Sequence, residues 1–127
     1  MAEGFSSYAA TATLNAIGNN TSFAVATPYV QLHVGAPGAA GTSNVATETT
    51  RKLVSFAAAS AGAIASDADV TWPNIAGTQD STHFTVWDAS SGGNFLFSGT
   101  ITANGYTAGD TYTFPSGAFT ASFTLAS

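Results

Sequence analysis

The side chains able to do chemistry are few, and their spacing decides little in favour of catalysis. His33 and His83 each fall in a stretch of alternating, strand-like sequence, and Asp67 and Asp69 sit two residues apart. On one strand face that spacing separates two carboxylates by about 6 to 7 Å, a distance at which glycoside hydrolysis is possible. The competing reading is an exposed polar strand edge, where charge discourages sheet-to-sheet addition. No third acid or cleft aromatic is placed nearby, so the edge reading is preferred. Two imidazoles joined by Asp67 or Asp69 fall short of the three or four supported ligands of a zinc site. Neither a Gly-x-Ser-x-Gly element nor a Gly-rich phosphate loop followed by Lys occurs. No catalytic residue, metal or cofactor is therefore expected.

Composition points the same way. Among 127 residues there are two cations, Arg51 and Lys52, against seven acids, for a net charge of −5. Asp, Glu, Lys and Arg make up 7% of the chain, where an average domain has about a quarter. Nucleic-acid binding needs several phosphate-neutralising cations, and an anionic membrane surface attracts basic segments; neither is expected as a partner. The polar surface must come from Thr, Ser, Asn and Gly. Such groups cost less to dehydrate than charges do, which favours a subunit that packs against copies of itself or other proteins. There is no cysteine, so disulfides are absent and redox compartment is unreadable. The start, Met1 to Ser7, has no basic region followed by an apolar run, so no secretory leader is expected. No apolar stretch approaches the roughly 18 residues of a membrane span.

The elements that must position these residues are short. The Ala-rich segment Phe5 to Ile17 predicts a helix, with Phe5, Ala9, Ala12 and Ala16 at helical spacing, Ser6 or Ser7 as N-cap and Gly18 at its end. From Thr27 the period changes to two. Tyr29–Val34 is a strand with Val30, Leu32 and Val34 on one face, followed by a loop from Gly35 to about Thr50. Further strands are predicted over Arg51–Phe56 and Ile64–Trp72, then a polar loop over Asn74–Ser81. His83–Trp87 and Asn94–Ile101 form a hairpin about the Asp88–Gly93 turn, which Asp88 caps, with Phe95, Phe97 and Ile101 on one face. A loop around Asn104-Gly105 leads to strands over Thr111–Phe114 and Ala118–Leu125. The expected architecture is mainly β: an antiparallel β-sandwich of about seven to eight strands with a short N-terminal helix. It is read as one domain, with residues 1–26 as helix and linker and 27–127 as the sandwich.

Five residues stand out as candidate partner or glycan contacts. Trp87, Trp72 and Tyr106 have rings that stack well on sugars. Arg51 and Lys52 are the sole positive spot, suited to pair with Glu48 or with an acidic patch on a neighbouring subunit.

Several segments carry a family resemblance. Tyr29–Gly38 (YVQLHVGAPG), Glu48–Phe56 (ETTRKLVSF), His83–Leu96 (HFTVWDASSGGNFL) and Ala108–Asp110 (AGD) resemble, in that order, small virion proteins of tailed bacteriophages, of the tail-fibre and minor-tail kind. The Leu-His turn and the Trp-Asp-Ala-x-x-Gly-Gly hairpin are the most specific parts. Ala36 departs from the pattern, where an acidic residue is common, as does the polar insertion around Gln79-Asp80-Ser81. The resemblance implies a non-enzymatic virion structural protein, made in the host bacterial cytoplasm and carried on the particle surface as a capsid decoration or a minor tail or tail-fibre protein. Taken with the scarcity of charge, the leading expectation is self-association, into trimers or another ring, and docking on capsid or tail proteins through the loop Gly35 to Thr50 and the N-terminal helix. The alternative is a module that binds host-surface glycans.

Overall fold

The computed structural model describes residues 3–127, with the side chains of residues 103 and 104 outside the description. Met1 and Ala2, part of the stretch read above for a leader, also lie outside it. The chain is mainly β and antiparallel, and among the described residues it has one N-terminal helix, α1 (Ser7–Gly18), and eight strands: β1 (Tyr29–His33), β2 (Lys52–Leu53), β3 (Ala63–Ala65), β4 (Val70–Trp72), β5 (Gln79–Trp87), β6 (Phe95–Tyr106), β7 (Tyr112–Phe114) and β8 (Thr120–Ser122). Four strands form one sheet in the order β2-β1-β5-β6, while β3-β8 and β4-β7 are two-stranded ribbons.

The ribbons pack on one face of the sheet. Phe84 of β5 meets Phe119 at 5.0 Å between ring centroids, Phe119 meets Phe114 at 5.1 Å, and Phe114 meets Trp72 at 5.6 Å. Val30, Leu32, Phe84 and Val86 are fully buried beneath them. Gly99 leaves room for the Phe84 ring, since a Cβ there would stand 2.8 Å from it.

Helix α1 starts two residues later than the predicted Phe5, with Ser6, one of the two expected caps, as the N-cap; its hydroxyl accepts the Ala9 amide. Phe5 lies before the helix and bridges to Phe97, while Ser6 donates its amide to the Leu96 carbonyl and Ser98 donates to that of Gly4. The N-terminal segment thus covers the start of the β6 edge, as an exposed edge requires. The helix stop differs from expectation. Gly18 is the last helical residue and Asn19 the C-cap, with its amide on the Asn15 carbonyl.

Several strands differ from their predicted extents. The single strand expected over Ile64–Trp72 is two, β3 and β4, which join different ribbons. The break is at buried Ser66, whose hydroxyl accepts the amides of Gly117 and Phe119, while Asp67 donates its amide to the Ser55 carbonyl. Arg51–Phe56 keeps only Lys52–Leu53 as strand, plus an isolated bridge from Phe56 to Ser66. The last strand shrinks from Ala118–Leu125 to Thr120–Ser122, because β3 offers only three partners. In the opposite direction, Gln79–Ser81 and the Asn104-Gly105 pair, both expected as loops, belong to β5 and β6, where they pair with one another. Gln79 also accepts the Thr47 amide through Oε1. A polar pair of strands satisfies its backbone as well as an apolar pair does.

The predicted faces need a larger correction. β1 and β5 are buried on both sides: Gln31, His33, Thr85 and Trp87 are covered as well as Val30, Leu32, Phe84 and Val86. Val34, expected in the core, is exposed. A register shift between Val86 and Trp87 pairs Val86 with Phe97 and Trp87 with Phe95, so Phe95 turns away from Phe97 and packs on Trp87 at 5.4 Å.

The Phe84–Gly99 contact yields a stability test. Gly99→Ala should destabilise the fold by about 1 to 3 kcal/mol through overpacking, read by urea unfolding. Gly92→Ala, where a Cβ meets nothing, should cost less despite its positive φ.

Candidate functional site

The sequence candidates fall into two groups. Asp67 and Asp69 lie in the bend between β3 and β4 and serve the backbone locally. Asp67 accepts the Ser55 hydroxyl, and Asp69 accepts the Ser116 amide at 3.0 Å. Neither is buried. His83 lies 3.8 Å from Glu3 and bonds Thr82 through Nδ1. Among the described residues, no group of three His, Cys, Asp or Glu side chains is arranged to hold a metal ion.

The proposed contact residues are mostly internal. Trp72 is 1% exposed and donates its indole N–H to the Thr50 carbonyl. Tyr106 is buried, bonded to Ser81 through its hydroxyl and packed on Tyr112. Trp87 is 7% exposed and donates its indole N–H to Thr85 at 2.8 Å. No ring of the three offers an open face for a sugar, so the glycan reading loses its stacking platforms. Apolar residues flanked by a long polar partner look alike in sequence whether inside or out; burial had to be seen.

Arg51 is an internal clamp. Its guanidinium lies 4.1 Å from the Trp87 ring centroid and donates to the carbonyls of Ala89 and Gly92 and to Gln31 Oε1. It therefore fastens the β5–β6 turn to β1. Asp88 closes the same turn, accepting the Asn94 amide and side chain as predicted; the Asn94 amide is the main cause holding its carboxyl below the usual range, against a smaller opposing effect of burial. Glu48 does not pair with Arg51. It accepts the amides of Ala76 and Thr50. Burial pushes its carboxyl up, but these amides together, with Lys52 nearby, outweigh that and hold it below its ordinary value. Lys52 sits half-buried in β2 opposite Val30.

The surface feature that stands apart is uncharged. From Gly4 to Thr47 there is no Asp, Glu, Lys or Arg, and none from Leu53 to Ser66 or from Thr111 to Ser127. These segments converge. An apolar groove of about 550 Å³ runs between α1, the Phe23–Pro28 segment and the sheet, floored by Val54, Phe56, Val86 and Phe97. Ala9 is the sole buried residue of α1, so the helix leaves Leu14 and Ile17 65% and 79% exposed. Leu53 stands exposed at the groove margin. Phe5, which lines the groove, stacks on exposed Phe123 at 4.4 Å. Leu125 is exposed above Gly62. Exposed apolar residues gathered this way mark a contact site. The missed signal was the charge gap itself, which is visible in sequence once charge is mapped by segment.

This is a small antiparallel β module with buried polar side chains bonded internally and an apolar groove beside α1. The family model for podophage GP4 fiber I protein gp80 matches residues 4–122, and the chain belongs to that family. It is thus a component of a phage virion of the fibre type, as its sequence resemblance implied. No curated protein matches the chain.

The Glu48 amide bonds set a pH dependence. A carboxyl held below its unfolded value stabilises the fold above that value, near 4.5, and the stability is lost as pH falls through the folded value. Thermal melts should drop steeply below pH 4.5. Glu48→Gln should melt lower at pH 7 and lose part of that acid slope; an unchanged slope would remove Glu48 from the account.

Proposed function

We propose that the chain is a non-enzymatic structural protein of the virion surface. It self-associates into a homo-oligomer, trimeric or another ring, and docks on neighbouring tail proteins as part of a fibre. The observation that carries this reading is the charge-free apolar face. At net charge −5, two copies repel unless their carboxylates stay apart. A face built from α1, the groove and the C-terminal segment lets copies meet while Asp69, Asp80, Asp88 and Asp110 remain outside the helix and groove lining; Glu3 and Asp67 stand at its margin, Asp67 bonded to the groove-lining Ser55. Burying Leu14, Ile17, Leu53 and Phe123 supplies the hydrophobic gain that exposed charge would oppose. The family's fibre label favours the tail over capsid decoration. The burial of Trp72, Trp87 and Tyr106 leaves the glycan alternative without its stated contacts. Synthesis takes place in the host bacterial cytoplasm, before assembly.

Sedimentation velocity at tens of micromolar tests the association. The wild type should run as an oligomer. Leu14→Asp with Ile17→Asp should run as a folded monomer with unchanged circular dichroism, because both side chains are exposed in the single chain. A monomeric wild type, or an oligomer indifferent to the double change, overturns the self-association. Cryo-microscopy of the intact particle tests the setting, which fails if no density for the chain is found on the virion.

A further inference from the structure

His33 is the one fully buried titratable side chain whose surroundings leave its polarity no freedom. Its Nδ1 stands 2.8 Å from the Ser43 carbonyl, which can only accept, so Nδ1 carries the proton. Its Nε2, 2.9 Å from Thr85 Oγ1, is then an acceptor, and the Thr85 hydroxyl donates to it. The same Thr85 oxygen accepts the Trp87 indole N–H at 2.8 Å. A single directed chain results, from Trp87 through Thr85 and His33 to Ser43. It ties β5 and β1 to the Gly35–Asn44 loop, which is held further by Val34 and Asn44 backbone pairing and by Gly41 closing on the Phe95 ring. The far end is Trp87, on which Arg51 rests while it holds the β5–β6 turn.

We infer that His33 is an acid-sensitive latch: protonation converts Nε2 from acceptor to donor, strands the Thr85 hydrogen beside a buried cation, and frees the Gly35–Asn44 loop and the Trp87–Arg51 clamp from the outer face of the sheet while the apolar core on the other face stays packed. A proton on Nε2 turns that bond round: the Thr85 oxygen can accept both Nε2–H and the Trp87 indole N–H, but the buried Thr85 hydrogen loses its acceptor. It also places a cation where nothing negative faces it. On β5 the cross-strand neighbour is His83, itself basic and with Glu3 near its Nε2. Ahead of β2 the facing group is Arg51, whose own acidic neighbour is Asp88. The loop from Gly35 to Thr47 has no titratable residue, and β6 has no charged one. Water is the remaining means of solvating the charge, and it enters only if the loop lifts. Burial is accordingly the main effect holding the imidazole below its ordinary 6.5; the Ser43 carbonyl opposes it, and His83 and Arg51 add to it. The unfolded chain then binds more protons than the folded one below pH 6.5, so the latch contributes fully above that pH and weakens as pH falls.

Indole N–H resonances in a pH series on the intact chain test this, because the buried Trp72 indole bonds the Thr50 carbonyl, outside the chain from Trp87 to Ser43, and serves as an internal reference. As pH falls below 6.5 the Trp87 resonance should shift or broaden in step with titration of the His33 imidazole, with the Trp72 resonance unmoved. His83→Gln should keep the transition and raise its midpoint, by removing a like charge. His33→Gln should abolish it. The wild-type titration stands by itself if His33→Gln fails to fold. A Trp87 signal that changes only together with Trp72, or a transition that survives in folded His33→Gln, overturns the inference.

Discussion

The constraint on which the structure depends is that its central strands, β1 and β5, are covered on both faces. An antiparallel sheet usually leaves one face to water and can place polar residues there freely. Here the second face is closed by the Gly35–Asn44 loop and the β5–β6 turn, so every polar side chain on it must find a partner within the protein. Gln31, His33, Thr85, Trp87 and Arg51 supply one another and the loop carbonyls. Among the described residues, no buried side-chain nitrogen or oxygen is left without a partner. Such a network fixes register more tightly than apolar packing does, because each bond has a direction as well as a distance.

Scarcity of charge follows from the same design. One of the two cations, Arg51, is committed to the inner clamp, and one acid, Glu48, to two backbone amides. The remaining acids sit mainly in turns and strand ends, where Asp69, Asp88 and Asp110 hold backbone amides. Charge is thus used to pin loops and is withheld from the face around α1. On an acidic protein an uncharged face is where an identical neighbour can approach with least repulsion.

Much of this was legible in the chain. The helix cap at Ser6, the hairpin about Asp88, and the strands centred on Tyr29–His33 and His83–Trp87 follow from local rules of capping, turn chemistry and alternation. The errors share a cause. Ile64–Trp72 alternates like one strand, yet Ser66 diverts its backbone into a bend by accepting two amides from a segment fifty residues away. Gln79–Ser81 looks like loop by polarity, yet its partner strand makes it sheet. Alternation also hid the second buried face, since His33, Thr85 and Trp87 read as the solvent side until the loop that covers them is in place. Local sequence encodes strand propensity; partner strands and covering loops are long-range facts.

The two faces of the sheet are joined through β5 itself. Val86 floors the apolar groove, while its neighbours Thr85 and Trp87 belong to the polar chain on the opposite side. Successive side chains on a strand point to opposite faces, so a change at Thr85 reaches the groove only if the β5 backbone moves. That backbone is paired along its length with β1 on one edge and β6 on the other, and Val86 is locked among Phe97 and Leu96 in a closely packed core. Loosening the outer loops therefore leaves the groove and α1 where they are. Acid would soften one face of the sheet while the face that carries the groove keeps its shape.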